Sequence, residues 1–257
     1  MYFDEDMNPQ LNTEAGRRAL EHWQETLEYA PSGTVGYGYD ELRDAFTLGD
    51  VAMVIQWTDV PKQTGAYEET RGNWGGAPVP GWEDGTAVSP MVVGRVLGIP
   101  AYISDEQKLA AYRFASRFHH PDYSAQIVSD LGHGLDPWME QHMEDPELYT
   151  TASEFNPEGD EGAPFDDIED GERYTEAVLQ NLEQGYPEPF WPGAAEYTAA
   201  MGIHLSNFLA GEADVEETLE NIESDWEETI DRLGREEQQE HYQTVLDAWE
   251  RAGLDVN

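Results

Sequence analysis

The sequence predicts an α/β protein that is rich in helix. Two apolar runs of strand length, Val51 to Gln56 and Met91 to Ile99, are accompanied by segments in which apolar residues recur every three or four positions. Several of these segments begin at a capping residue and end at glycine or proline, the usual signals for helix boundaries. A chain of 257 residues is long enough for one large domain or two small ones.

The element around which the chain is organised runs from Asp40 to Trp57. Asp40 is expected to cap a short helix, and Gly49 to end that helix in a left-handed turn. The strand predicted for Val51 to Gln56 then leads to Trp57 and Asp59, at a strand end where open α/β sheets usually carry functional residues. Taken alone, Trp57 also fits a core strand with a tryptophan at its boundary.

Further elements follow in order along the chain. Residues 61–90 are rich in glycine and proline and predict an irregular region, and residues 91–99 predict a strand that contains the cationic Arg95, which requires a partner. Ser104 and Gln107 form a capping box before a predicted helix. The face expected to point inward in this helix consists of Ala111, Phe114, Ala115 and Phe118. Pro121 ends it, and a second short helix is expected to bury Ile127, Val128 and Leu131.

The last third of the chain predicts mainly helix. Residues 153–172 are acidic and predict a surface loop, whereas residues 173–184 predict a helix. A proline-rich linker around Trp191 precedes a helix that begins at Ala194. Asp214 with Glu217 caps the next helix, and one more helix follows Gly234.

The composition points to the habitat of the protein rather than to its ligand. The chain has 54 acidic and 13 basic residues, and its net charge of −41 excludes a general attraction to nucleic acid or to anionic membranes. Its 8 Trp, 13 Tyr and 8 Phe argue against disorder. Because molar salt screens such a charge, we infer a halophilic, haloarchaeal-like protein whose stability depends on salt. No cysteine, basic apolar leader or membrane-length apolar run is present.

Catalytic and metal-binding motifs are weak in this sequence. No nucleophile elbow, phosphate loop, zinc motif or dinucleotide fingerprint is found, and no cofactor is implied. The oxygen-rich stretch Asp160 to Glu172 could hold calcium but lacks the spacing of an EF-hand, so a solvated loop is the simpler interpretation. Five tryptophans lie near predicted loops, where aromatic rings suit stacking on sugars: Trp57, Trp74, Trp82, Trp138 and Trp191.

The order of these elements resembles the carbohydrate-type extracellular solute-binding proteins of ABC importers, the family that includes maltose-binding protein. The resemblance is carried by Leu42 to Trp57, Pro78 to Gly81, Gly98 to Ala101, Ala111 to Phe118, Gly134 to Pro137, and Phe208 to Leu219. It implies a two-lobe periplasmic-binding-protein-like (type II) fold in which the N-terminal part of the first lobe is missing. Residues 1–95 would then belong to the second lobe, residues 96–190 would return to the first lobe, and residues 191–257 would form the closing helices of the second lobe.

The same resemblance implies a function and a site. The protein is expected to bind a small-molecule ligand, a sugar, outside the cell at the cell surface, without catalysis and as a monomer. It would deliver this ligand to the transmembrane permease subunits of an ABC importer, with no nucleic-acid partner and no metal or cofactor. The implied ligand-binding residues are Trp57, Asp59, Gly94, Arg95, Trp191 and Tyr197.

Two other classes of protein stay open at this point. A glycan-active hydrolase or its accessory carbohydrate-binding domain would also expose tryptophans and carboxylates. A helical interaction protein without a small-molecule site is supported by the Gln-rich last helix after Arg235.

Overall fold

A computed structural model describes residues 2–82, 91–94, 96–132, 134–154, 162–183, 185–251 and 253. The chain divides into two compact units: unit 1 consists of Met1–Tyr37 and Glu188–Asn257, and unit 2 of Gly38–Pro187. Which unit corresponds to which lobe stays a prediction. Among the described residues, no helix has the length and apolar character needed to cross a membrane.

Helices dominate both units. Unit 1 contains α1 (Glu14–Thr26), α8 (Ala194–Leu209), α9 (Val215–Leu233) and α10 (Arg235–Arg251). Unit 2 contains α2 (Tyr39–Thr47), α3 (Val60–Gln63), α4 (Asp105–Phe118), α5 (Pro121–Val128), α6 (Glu140–Glu144) and α7 (Ile168–Glu183). Its strands β1 (Met91–Val92) and β2 (Tyr186–Pro187) pair in parallel, with Met91 opposite Tyr186. Short 3-10 turns lie at Leu27–Tyr29, Thr34–Gly36, Thr64–Ala66 and Pro146–Thr150.

The core of unit 1 is an aromatic cluster centred on Phe3. The Phe3 ring lies 5.0 Å from Trp226, 5.2 Å from Tyr197, 5.5 Å from Tyr242 and 6.0 Å from Trp191, measured between ring centroids. Most of these pairs are tilted or edge-on, the geometry that aromatic quadrupoles favour. The start of the chain is therefore held against α8, α9 and α10.

The core of unit 2 surrounds α7. Tyr174 and Val178 of this helix pack with Trp74, Tyr149 and Phe165. Trp74 stacks on Phe165 with their ring centroids 5.1 Å apart, and the rings of Tyr149 and Tyr174 meet edge-on at 4.8 Å. This core fixes the irregular segment around Trp74 against a regular helix.

Helix caps follow the sequence closely at two places. The Ser104 hydroxyl accepts from the backbone N–H of Gln107, and the Gln107 side chain accepts from the Ser104 N–H, which is the predicted capping box of α4. The Asp214 carboxylate accepts from the Glu217 N–H at the start of α9. Gly234, at φ 95°, separates α9 from α10 as predicted.

Other local predictions are wrong. Residues 51–56 form neither strand nor helix, and of the described residues in the second predicted strand only Met91 and Val92 belong to a sheet. An apolar run becomes a strand only when a neighbouring strand satisfies its backbone groups, and the described residues provide almost none. Asp40 lies inside the first turn of α2, where it pairs with Arg43; the cap position is Gly38.

The predicted loop over residues 153–172 is also too long, because α7 begins at Ile168. Asp170 and Gly171 of its first turn are buried, although the acidic composition suggested a solvated surface. Helix α5 ends at Val128, so Leu131 lies beyond it.

Candidate functional site

The segment after α2 places Trp57 at the surface of unit 2. Gly49, at φ 77°, lets the chain turn after α2, and the N–H groups of Asp50 and Val51 both donate to the Ala45 carbonyl. Met53 and Ile55 are then 87% and 75% exposed. Trp57 follows with 39% of its surface exposed, immediately before the turn into α3. This placement leaves one part of the indole packed and another part exposed to solvent.

Trp57 borders a half-open cavity of about 140 Å³ that lies within unit 2. The wall is mainly apolar and aromatic, with polar groups at a few positions, as in small-molecule sites. The lining residues are Phe46, Val54, Gln56, Trp57, Thr58, Val60, Pro61, Trp74, Gly75, Gly76, Ala77, Tyr174, Ala177, Val178 and Asn181. Complete ligand sites are usually roughly 300–1,000 Å³, and this cavity is smaller than that range.

Asp59 lies between Thr58 and Val60, which line the cavity, but it is itself nearly buried, with 3% of its surface exposed. Its Oδ2 accepts hydrogen bonds from the Tyr39 hydroxyl and from Gln63 Nε2, the latter at 2.7 Å. Burial, followed by the bond to Asp59, raises the pKa of Tyr39 to about 12, so the phenol stays a donor at neutral pH. The other oxygen, Oδ1, has no hydrogen-bond partner among the described residues, and a buried acceptor left in this state is destabilising.

Lys62, in the short helix α3 that follows Trp57 and Asp59, connects this segment to a loop that is distant in sequence. Its side chain is fully buried, and its Nζ donates to the carbonyls of Val128 at 2.7 Å and Leu135 at 2.6 Å. Burial lowers the pKa of Lys62 to about 8, and the nearby carboxylates of Asp59, Asp136 and Asp130 oppose this shift. The ammonium is therefore still the main form at neutral pH.

The loop that Lys62 holds contains the motif Gly134 to Pro137. The Thr58 hydroxyl donates to Asp136. A Cβ atom at Gly134 would lie 2.8 Å from Asp59 Oδ2, so only glycine lets this backbone approach the carboxylate without a shift. The fold thus brings the Gly134 motif against the segment of Trp57, Asp59 and Lys62, a juxtaposition that sequence reasoning missed. The one available signal was that Lys62 is one of only two lysines.

The other predicted site residues lie elsewhere. Gly94 is exposed and does not border the cavity, and Arg95 lies outside the described residues. Trp191 and Tyr197 are 4% and 1% exposed in the core of unit 1. The Tyr197 hydroxyl donates to Gln238 Oε1 at 2.9 Å, and its ring lies 6.2 Å from that of Trp191. Aromatic neighbours therefore occupy the surfaces that a sugar would need.

Ser124 and His142 form a buried pair that superficially suggests nucleophilic catalysis. His142 Nε2 lies 2.9 Å from the Ser124 hydroxyl, and Nδ1 accepts from the Trp138 N–H at 3.3 Å. Because Nδ1 is the acceptor, the proton of the neutral ring is on Nε2 and points at the serine, opposite to what a general base needs. Burial, and then the charge of Lys62, lower the pKa of His142 to about 4. The pair is a structural contact.

Metal ligands do not assemble in the part of the chain that the structure describes, where no three His, Asp or Glu side chains could hold an ion together. The stretch Asp160 to Glu172 considered for calcium begins outside the described residues. Of its described carboxylates, Asp166 accepts from the Arg71 guanidinium at 2.6 Å, and Asp170 from that of Arg173 at 2.8 Å. These two carboxylates are engaged in ion pairs.

Comparisons with known proteins agree with this fold. Residues 1–116 match the model of a family described as bacterial extracellular solute-binding protein. A maltose-bound structure of MalE3 from T. maritima superposes with a TM-score of 0.70 at 19% sequence identity. The match covers 88% of this chain and 53% of MalE3, so the chain spans about half the length of that protein. No curated protein sequence gives a significant match.

At this sequence identity the structural likeness concerns the fold. The prediction of a helix-rich, periplasmic-binding-protein-like α/β fold, present in part, is confirmed. The chain is thus similar to extracellular solute-binding proteins, in sequence over residues 1–116 and in fold over most of its length.

Proposed function

We propose that this chain is the solute-binding part of an ABC importer, and that it binds a sugar outside the cell, at the cell surface, and delivers it to the transmembrane permease subunits. The observation that carries the proposal is the cavity in which the partly exposed Trp57 meets the polar side chains of Gln56, Thr58 and Asn181. Aromatic rings offer a stacking face to the apolar side of a sugar, and polar groups bind its hydroxyls. The solved relative, MalE3, holds maltose.

Asp59 is the polar anchor of the proposed site. Tyr39 and Gln63 hold one carboxylate oxygen in place, and the other oxygen is buried without a partner among the described residues. A ligand hydroxyl that donates to this oxygen would remove the penalty of the unsatisfied acceptor. The proposed role of Asp59 is therefore to select ligands that present a hydroxyl beside the ring stacked on Trp57.

Delivery of the ligand to the permease would depend on a shift in the populations of the open and closed forms of the protein. A ligand that binds a closed form of a two-lobed protein better than the open form moves the equilibrium toward the closed form. The permease would recognise that form. In this mechanism the protein acts as a monomer, breaks no bond in the ligand, and uses neither a cofactor nor a metal.

The test is a maltose titration in molar KCl, followed by intrinsic fluorescence and by isothermal calorimetry. We expect quenching and saturable heat, and about a tenfold loss of affinity in Trp57→Ala, which corresponds to about 1.4 kcal/mol of lost stacking. The matched control is Trp23→Ala, because Trp23 is 47% exposed on α1 and does not border the cavity. This control should bind maltose as the parent does.

Two results would contradict the proposal. If the protein responds to no member of a broad panel of sugars, the carbohydrate assignment fails. If instead new reducing ends accumulate during incubation with oligosaccharides, the protein is a hydrolase and the transport assignment fails.

A further inference from the structure

Two residues in the wall of the cavity carry buried polar groups without a hydrogen bond. Trp74 and Tyr174 both line the cavity, and they are only 6% and 1% exposed. Their rings meet edge-on, with the centroids 6.4 Å apart. Neither Trp74 Nε1 nor the Tyr174 hydroxyl has a hydrogen-bond partner among the described residues. Because an unpaired buried polar group destabilises a fold, two of them in one cavity wall require an explanation.

The Tyr174 phenol is a neutral group at physiological pH. Burial, followed by the neighbouring Tyr149, raises the pKa of Tyr174 well above its ordinary value, so the oxygen keeps its proton. The Thr58 hydroxyl opposes this shift, but it donates its own proton to Asp136 and not to the Tyr174 oxygen. Tyr174 therefore offers one O–H donor and an acceptor oxygen.

Tyr149 shows the contrasting case of a satisfied hydroxyl in the same core. It is 0% exposed, and its ring meets that of Tyr174 edge-on at 4.8 Å. The Tyr149 hydroxyl donates to the His142 carbonyl at 2.7 Å, and Tyr149 does not border the cavity. Of these two neighbouring tyrosines, the one in the cavity wall is the one whose hydroxyl has no partner among the described residues.

We propose that Trp74 Nε1 and the Tyr174 hydroxyl form a polar subsite of the cavity that binds one hydroxyl group of the sugar and selects ligands by it. This inference rests on the proposed function and names the ligand group that the cavity takes. An indole N–H only donates, whereas a phenol donates or accepts, so the ligand group must accept one hydrogen bond and can donate another. A sugar hydroxyl does both, and a hydrogen atom in its place does neither. The cavity of about 140 Å³ has room for such a group, since one water requires roughly 10–15 Å³.

The test is Tyr174→Phe, which removes a single oxygen atom. In chemical denaturation without sugar, its midpoint should equal or exceed that of the parent, because an unpaired group is removed. Its affinity for maltose, measured by isothermal calorimetry in molar KCl, should fall about fivefold. Tyr149→Phe is the matched control and should show the reverse: a lower midpoint, because the His142 carbonyl loses its donor, and an unchanged affinity.

Monodeoxy analogues of maltose identify the ligand group. One analogue should bind the parent about tenfold more weakly than maltose does, and this difference should shrink to about twofold in Tyr174→Phe, because both changes remove the same hydrogen bond. Equal discrimination by the parent and the variant would assign that hydroxyl to another part of the protein and overturn the subsite.

Two further results would overturn the inference. Equal affinities of the parent and Tyr174→Phe for maltose would remove the subsite and leave the proposed function in place. A midpoint of Tyr174→Phe as low as that of Tyr149→Phe would show that the hydroxyl is already satisfied in the ligand-free protein, for example by a buried water. A parent that binds no sugar would instead contradict the proposed function itself, and the subsite with it.

Discussion

The two compact units place different chemistry in their cores. Unit 1 buries mainly aromatic rings, and Trp226 and Tyr197 are 2% and 1% exposed there. Unit 2 also buries aromatic rings, but it adds ionisable groups, among them Lys62, Asp59 and His142, that are 0%, 3% and 0% exposed. The first core is suited to holding helices together. The second contains groups that require specific partners, and such groups concentrate at functional sites.

This difference bears on where we propose that the ligand binds. In unit 1 the rings of Trp191 and Tyr197 are buried against other side chains. In unit 2, by contrast, 39% of the surface of Trp57 is exposed, and this residue lines a cavity. Ligand chemistry is therefore expected from the unit with the buried charges. The substitutions below each change one residue in or near one of the two cores. Their effects test whether unit 1 is mainly structural and unit 2 contains the ligand site.

The largest effect is expected from the aromatic core. Trp226→Ala removes the ring that contacts Phe3 and Tyr197, and its Nε1 no longer donates to the Tyr197 carbonyl. The free energy of unfolding should fall by about 4 kcal/mol, as for other buried aromatic residues. Chemical denaturation in molar KCl measures the change.

Substitution of exposed tryptophans should change the free energy of unfolding much less than substitution of Trp226, in the same chemical denaturation experiment. Trp57→Ala should change the free energy of unfolding by less than about 1 kcal/mol, and Trp23→Ala by less than about 0.5 kcal/mol. A Trp57 variant as unstable as the Trp226 variant would mean that Trp57 is a packing residue, and its role in binding would be withdrawn.

The next effect concerns Lys62 and alkaline pH. Burial lowers the pKa of Lys62 from 10.5 to about 8, so between these values the unfolded chain binds a proton that the folded chain has released. The free energy of unfolding therefore rises with pH from about 8 toward 10, by up to about 3 kcal/mol from this group. Above pH 10 the tyrosines oppose the trend, because the pKa of Tyr39 is raised from 10.0 to about 12.

Lys62→Met should flatten this rise, as measured by urea unfolding at pH 8, 9 and 10. The matched control is Lys108→Met, at the other lysine of the chain, whose side chain is 40% exposed on α4. The control should keep the slope of the parent. An unchanged slope in Lys62→Met would show that the buried ammonium does not govern stability in this range.

An effect of similar size is expected from His142 at acid pH. Burial lowers the pKa of His142 from 6.5 to about 4, so between these values the unfolded chain binds a proton and the folded chain does not. The free energy of unfolding should therefore fall as pH decreases through this range, by up to about 3 kcal/mol from this residue. The free energy of unfolding of His142→Gln is measured over the same pH range and subtracted from that of the parent. The difference gives the contribution of His142 and removes that of the many carboxylates.

His22→Gln is the comparison variant, since His22 is exposed on α1 of unit 1. It should follow the parent curve. If the His142 and His22 variants show the same acid dependence, the titratable character assigned to the core of unit 2 is wrong.

Two capping signals in the sequence predicted helix starts correctly. The Ser104 and Asp214 caps are correct because each involves residues three positions apart. The strand expected at residues 51–56 is absent because strands depend on distant partners that the local pattern does not reveal. The fold class was predicted from the order of the motifs along the chain. This order stays informative even where the secondary structure of a single element is predicted wrongly.

The proposed site is visible in the sequence only in part, for the same physical reason. Trp57, which ends a segment that the sequence marks clearly, lines the cavity, and Asp59 is two residues further along the chain. The bonds from Lys62 to Val128 and Leu135 span 66 and 73 residues, and no short-range pattern reports them. Trp191 and Tyr197 carry aromatic side chains near a linker, but the packing of Phe3 against them depends on the other end of the chain.

The central claim is that the sugar contacts unit 2 through Trp57. The most direct test is a proton–nitrogen correlation spectrum of the tryptophan indoles in molar KCl, recorded during a maltose titration and assigned with single Trp→Phe variants. We predict that the Trp57 indole resonance shifts with saturation, followed by that of Trp74, while the resonances of Trp191 and Trp226 stay in place. A shift of Trp191 without one of Trp57 would move the site to unit 1 and contradict the account.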